Sequence, residues 1–119
     1  QGKILDVAVD FRIGSPTFGQ AISVELDSIE NKQLFIPRGF LHGFSVLSED
    51  AIVNIKIDRY FAAGESIGVK YDDKDLSIDW KISAKDIILS KADIELKLFK
   101  DVISPSDYGK NYYLMKQFV

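Results

Sequence analysis

The sequence predicts an all-β domain, an antiparallel sandwich or barrel, on three observations. Five or six segments alternate apolar and polar residues, they recur at roughly 8–12-residue spacing, and Gly- and Pro-bearing turns separate them with little helical periodicity. At 119 residues the chain holds one domain with a single core.

In the first segment, Lys3 to Phe11, Leu5, Val7, Val9 and Phe11 face one way and Asp6 and Asp10 the other. Gly14-Ser15-Pro16 is turn chemistry. Phe18 to Leu26 alternates again, and Ser28 to Lys32 is a polar connection. The stretch from Gln33 to Ser48 reads as two short strands around a turn at Ile36-Pro37-Arg38-Gly39, where proline fixes φ and glycine permits the bend. Beyond that turn Phe40, His42, Phe44 and Val46 share a face, which sets the chain's one histidine in an apolar wall. Gly43 beside it predicts that another backbone or a ligand comes close. On the residues alone, His42 is either a satisfied core residue or a pocket group, and the core reading is the better one.

Glu49-Asp50 is expected to turn the chain into its longest strand, Ala51 to Phe61, with Val53, Ile55, Ile57 and Phe61 inward. Gly64 to Lys81 is loop-rich and acidic. Asp72, Asp73, Asp75 and Asp79 match no calcium-loop spacing, so a solvated loop is expected. Ser83 to Asp86 predicts one serine-capped helical turn and Leu89 to Asp93 a second. The tail, Val102 to Val119, carries Tyr108, Tyr112, Tyr113, Met115 and Phe118, a density that predicts packing on the domain or on a partner subunit. A strong strand follows Gln1-Gly2 at once. A domain that began in mid-sheet would expose a long edge, so a further upstream segment is expected.

Composition narrows the function. A net charge of −3 and three arginines (Arg12, Arg38 and Arg59) provide no basic stripe for a nucleic-acid backbone. Without cysteine there is no thiolate nucleophile or thiolate metal site, and one histidine argues against a transition-metal centre. The apolar runs are too short for a membrane-spanning helix, and the whole fits a cytoplasmic protein. Serine-nucleophile elbows and phosphate-cradling glycine motifs are absent from the sequence.

Three segments taken together are more specific. ILDVAVDFRIGSPTFGQ (Ile4 to Gln20), NKQLFIPRGFLHGFSVLS (Asn31 to Ser48) and IDWKISAKDIILSKAD (Ile78 to Asp93) resemble the dTDP-4-dehydrorhamnose 3,5-epimerase family in order and spacing, over about 100 of the 119 residues. The resemblance implies a cupin-type antiparallel jelly-roll with short C-terminal helical segments, in which residues 1–101 form the domain and 102–119 an extension. It implies a homodimer that acts, without a cofactor, on a nucleoside-diphosphate-linked 4-keto-6-deoxy sugar in rhamnose-type deoxysugar biosynthesis. The C–H bonds beside a C4 ketone are acidic enough for a histidine base when hydrogen-bond donors stabilise the enolate. Reprotonation from the opposite face then inverts C3 and C5.

By the same resemblance, His42 matches the histidine of H-G-F, which lies in the pocket near base and substrate. Asp93 matches the aspartate that pairs with the base in an L-S-x-K-D pattern. Here that pattern reads Leu89-Ser90-Lys91-Ala92-Asp93, with the lysine displaced by one position. Asp86 sits in a similar Ser83-Ala84-Lys85-Asp86 string but too near Trp80, and an exposed loop carboxylate is expected. The base itself belongs to an upstream R-G-L-H motif, with an arginine and a lysine that contact substrate, and these three have no counterpart in this sequence. The family's acid tyrosine falls at Ile55 and a further pocket tyrosine at Phe61, so both hydroxyls are replaced. Tyr60 is one residue off and is expected to point outward unless a bulge re-aims it. Arg38, Ile55, Tyr60 and Phe61 make up the expected substrate-contacting set. Two readings follow: a sugar-nucleotide epimerase, or a catalytically impaired sugar-nucleotide-binding or structural cupin relative.

Overall fold

The computed structural model describes residues 1–58 and 67–110. Its centre is a three-stranded antiparallel sheet in the order β2-β1-β3, with β1 at Gly2–Asp10, β2 at Ala21–Asp27 and β3 at Phe40–Ala51. The all-β class holds: the described helical elements are a four-residue α1 (Lys91–Ile94) and two 3-10 turns, Ala84–Asp86 and Phe99–Asp101. Among the described residues no helix is long and apolar enough to cross a membrane.

β1 is flanked on both sides, so its residues from Ile4 to Asp10 are all buried, polar ones included. Its register places Asp6 opposite Phe44 and Ala8 opposite His42 on β3, and opposite Val24 and Ile22 on β2. Paired residues of an antiparallel ladder project to the same side. One face of the sheet therefore carries Asp6, Ala8, His42, Phe44 and Val46, and the other Leu5, Val7, Val9, Leu41, Ser45 and Leu47.

The second face is the core face. Leu5, Val7, Val9 and Leu76 form the buried cluster, and Leu41, Leu47, Val69, Ile78, Trp80 and Phe99 pack against it. The irregular stretch after Gly68 thus supplies the second layer. Trp80 is fixed within it by its indole N–H, which donates to the Tyr71 carbonyl at 2.8 Å, and by its own carbonyl, which accepts from Ser45 Oγ at 2.8 Å. Its ring lies over Gly43, where a Cβ would stand 3.1 Å from Cη2. The close neighbour at Gly43 is thus a side chain, this ring, rather than the backbone or ligand expected.

Several expectations are corrected. The two strands expected between Gln33 and Ser48 are one, preceded by an irregular segment. β3 runs through Glu49-Asp50 to Ala51, so the chain does not turn there. Residues 52–58 form no strand, and Ile55 and Ile57 are exposed rather than inward, because no ladder partner reaches them among the described residues. Phe61, like Arg59 and Tyr60, lies outside the described residues, as do the aromatics after Lys110. The apolar count of β3 also misjudged its sides: Leu41 and Leu47 face the core, whereas Phe44 and Val46 lie on the accessible side with His42.

Asp73 is not the solvated loop carboxylate expected. It is 4 % exposed and ties two loops together, accepting from the Asp75 N–H at 2.8 Å and from the Phe99 N–H at 2.7 Å. Among the described residues no carboxylate and histidine cluster could hold a metal ion.

The D-x-R-x-x-S-x-T string has a structural explanation. Asp10, 2 % exposed, accepts from Arg12 Nε and Nη2 at 2.9 Å each, and from the hydroxyls of Ser15 and Thr17 at 2.5 Å each. The Arg12 guanidinium holds the Asp10 carboxyl well below the usual carboxylate range against the opposing effect of burial, and Ser15 and Thr17 add to the lowering. The turn before β3 closes onto the same arginine. Gly39 has φ +91°, and a Cβ there would lie 2.6 Å from Arg12 Cγ. Both the backbone and the space thus require glycine. Gly39→Ala is expected to destabilise the fold by about 1–3 kcal/mol, read as a lower denaturant midpoint at unchanged slope.

Candidate active site

A carboxylate in the middle of a buried strand must find a partner or lose its charge. Asp6 finds His42. Nε2 of the imidazole stands 2.5 Å from Asp6 Oδ1, a contact made across adjacent strands because Asp6 and His42 sit on neighbouring rungs of one face. The Asp6 side chain is 10 % exposed and that of His42 31 %, so the carboxylate is covered while the imidazole can still be reached. Phe44 flanks the ring at a centroid distance of 6.3 Å.

This geometry sets the imidazole's chemistry. An ionised carboxylate only accepts hydrogen bonds, so Nε2 carries the proton that it donates to Asp6. Nδ1 is left to accept a proton or, once protonated, to donate one, and among the described residues it has no hydrogen-bond partner. A carboxylate behind an imidazole fixes its tautomer and orientation and stabilises its cationic form. The pair can therefore take a proton from a weak carbon acid or give a hydrogen bond to a developing oxyanion.

The other anticipated residues are distributed differently. Asp93 lies in α1, exposed, where it closes a cap: its N–H donates to Ser90 Oγ at 3.1 Å, and the Ser90 hydroxyl donates to its Oδ2 at 2.7 Å. The structure does not bring Asp93 to His42; the carboxylate at His42 is Asp6. Arg38 pairs with Asp58, Nε donating to Oδ2 at 2.8 Å, and so ties the turn before β3 to the segment that follows it. Ile55 lies on that segment, 55 % exposed. Tyr60 and Phe61 lie outside the described residues. Asp86 is exposed, as expected.

Asp6 is the residue that sequence reasoning missed. Alternation assigns it to the side away from the Leu5 face, which is correct, but names no partner for it there. The available signal was a charged residue enclosed by Leu5, Val7, Ala8 and Val9, a context in which a carboxylate is seldom left unpaired.

Comparison with known proteins decides the family. The family model described as dTDP-4-dehydrorhamnose 3,5-epimerase matches residues 1–101. The chain belongs to this family. Curated family members similar to it include the dTDP-4-dehydrorhamnose 3,5-epimerases of Shigella flexneri, 39 % identical over 100 residues (84 % of this chain and 54 % of that protein), and of Pseudomonas aeruginosa, 41 % identical over 100 residues (84 % and 55 %). Among solved structures, the family's enzyme from Elizabethkingia anophelis is similar with a TM-score of 0.74 at 44 % identity, covering 85 % of this chain and 55 % of that one. The dTDP-6-deoxy-D-glucose-3,5-epimerase of Legionella pneumophila, solved in complex with dTDP-4-keto-L-rhamnose, is similar with a TM-score of 0.67 at 40 % identity, covering 82 % and 51 %. The chain thus spans about half the length of the family members it matches.

Proposed function

We propose that the chain acts in the epimerisation of a nucleoside-diphosphate-linked 4-keto-6-deoxy sugar, with the His42–Asp6 pair facing the sugar. The observation that carries this reading is the 2.5 Å contact that holds a reachable imidazole by a buried carboxylate in a family whose solved members include a complex with a dTDP-linked keto sugar. In the proposed reaction a base removes the proton from C3 or C5, and the electron pair moves into the C4 carbonyl. The resulting enolate is stabilised by a hydrogen bond at its oxygen, for which protonated Nδ1 of His42 is the donor. Return of a proton from the other face completes the inversion. No redox change occurs, and no cofactor is needed. Asp93 keeps its proposed role as the carboxylate that pairs with the base of the R-G-L-H motif, which this sequence does not contain.

The test is incubation of the full-length protein, with the R-G-L-H base present, with the 4-keto sugar nucleotide in deuterated water, followed by NMR. Deuterium appearing at C3 and C5 is the expected result. No incorporation at either carbon while the sugar still binds would overturn the reading.

The second reading, a sugar-nucleotide binder with impaired catalysis, rests on Ile55. An isoleucine donates no proton, and it occupies the position where the family resemblance sets an acid. Deuterium at C3 alone would point to a restricted 3-epimerase or ketoisomerase. Ile55→Tyr is expected to raise the exchange rate toward the ~100-fold that a placed general acid contributes. A folded variant with an unchanged rate would show that position 55 is not the acid position.

A further inference from the structure

Three segments distant in sequence meet at Arg12. Its guanidinium is gripped by Asp10, and its Cζ lies 4.7 Å from the Phe40 ring centroid and 5.0 Å from that of Tyr108. The Tyr108 ring arrives on a segment that docks by its backbone: Ile13 N–H donates to the Ser106 carbonyl at 2.8 Å, and Tyr108 N–H donates to the Ile13 carbonyl at 2.9 Å. Ser104 Oγ donates to the Phe11 carbonyl, and Ser104 is buried. The segment also touches the turn before β3, since a Cβ on Gly39 would lie 3.3 Å from Ser106 Cβ. Ser104, Ser106 and Tyr108 lie beyond residue 101, where the family-model match ends.

We infer that residues 104–108 are a strap which, through Tyr108 and Arg12, positions the start of β3 and hence the His42–Asp6 pair. Phe40 is the first residue of β3 and pairs with Asp10; the next rung on the same face is His42 opposite Ala8. The arginine that Asp10 grips therefore also holds the ring one rung from the imidazole. A planar guanidinium over two aromatic rings resists displacement in a way that a flexible aliphatic contact does not. Tyr108 and Arg12 are positioning residues in this scheme, since they reach the sugar's site only through β3. The inference rests on the His42–Asp6 pair being the working group, as proposed above.

The chain's single histidine makes a clean probe. Long-range proton–nitrogen correlation of the imidazole, recorded on the whole protein without ligand, reports the tautomer and the hydrogen bond at Nε2. Tyr108→Ala is expected to move or broaden that signal toward its position in Asp6→Asn, a reference for the altered pair, with far-UV dichroism unchanged. Tyr108→Phe, which keeps the ring, is expected to restore the wild-type signal. A wild-type signal in Tyr108→Ala, or an equal displacement in Tyr108→Phe, would overturn the strap. If the alanine variant does not fold, Tyr108→Leu takes its place, with the same two outcomes. The readout needs no turnover: loss of deuterium exchange would sink the functional reading and leave this result standing, and the reverse also holds.

Discussion

Asp10→Ala is expected to cost the fold about 3–5 kcal/mol at neutral pH, the largest effect of any single substitution considered. The carboxylate is buried and accepts from Arg12, Ser15 and Thr17 together, and its removal strands a guanidinium and two hydroxyls. Urea unfolding followed through Trp80 fluorescence measures the loss. The same site dictates an acid limb. Because the folded Asp10 carboxyl lies well below its ordinary value of 3.8, its stabilisation is complete above that value and is lost as pH falls below it toward the folded value. The melting temperature of the wild type should therefore fall more steeply than that of Asp10→Asn between about pH 4 and pH 2. Parallel slopes would mean that the cluster contributes no ionisation-linked stability.

His42→Asn and Asp6→Asn are expected to reduce deuterium incorporation by about 100- to 1,000-fold, the range that one donor to a developing oxyanion contributes. The two variants should differ in kind. His42→Asn removes the imidazole outright. Asp6→Asn keeps the ring but replaces the charged acceptor behind Nε2 by a neutral amide, so Nδ1 is left as a weaker, uncharged donor to the enolate oxygen. The asparagine at position 6 is therefore expected to lower kcat with little change in KM. Equal losses in binding and turnover would instead assign Asp6 to packing alone.

The fold was partly legible because β1, β2 and the body of β3 carry a clean two-residue period. The sides of β3 were not legible. Phe40, Phe44 and Val46 outweigh Leu41 and Leu47 in a local count, yet the core lies on the leucine side, because Leu76, Ile78, Trp80 and Phe99 reach it from stretches without periodicity. The candidate face was legible only through His42. Its partner depends on the register between β1 and β3, a long-range pairing that local alternation does not specify. Asp73 teaches the same point: an acidic run reads as solvent-facing, but one member of it anchors the Phe99 backbone. The family signature, by contrast, was readable at once, and much of it encodes the Asp10–Arg12–Gly39 interlock rather than chemistry.

Whether a keto sugar meets this imidazole can be observed directly. Titrating the dTDP-linked 4-keto sugar into nitrogen-labelled protein should shift the His42 Nδ1 resonance progressively to saturation, with the Trp80 indole signal on the other side of the sheet unmoved. A sugar nucleotide that saturates the protein while the His42 ring nitrogens stay at their unliganded positions would contradict the assignment of this face as the site.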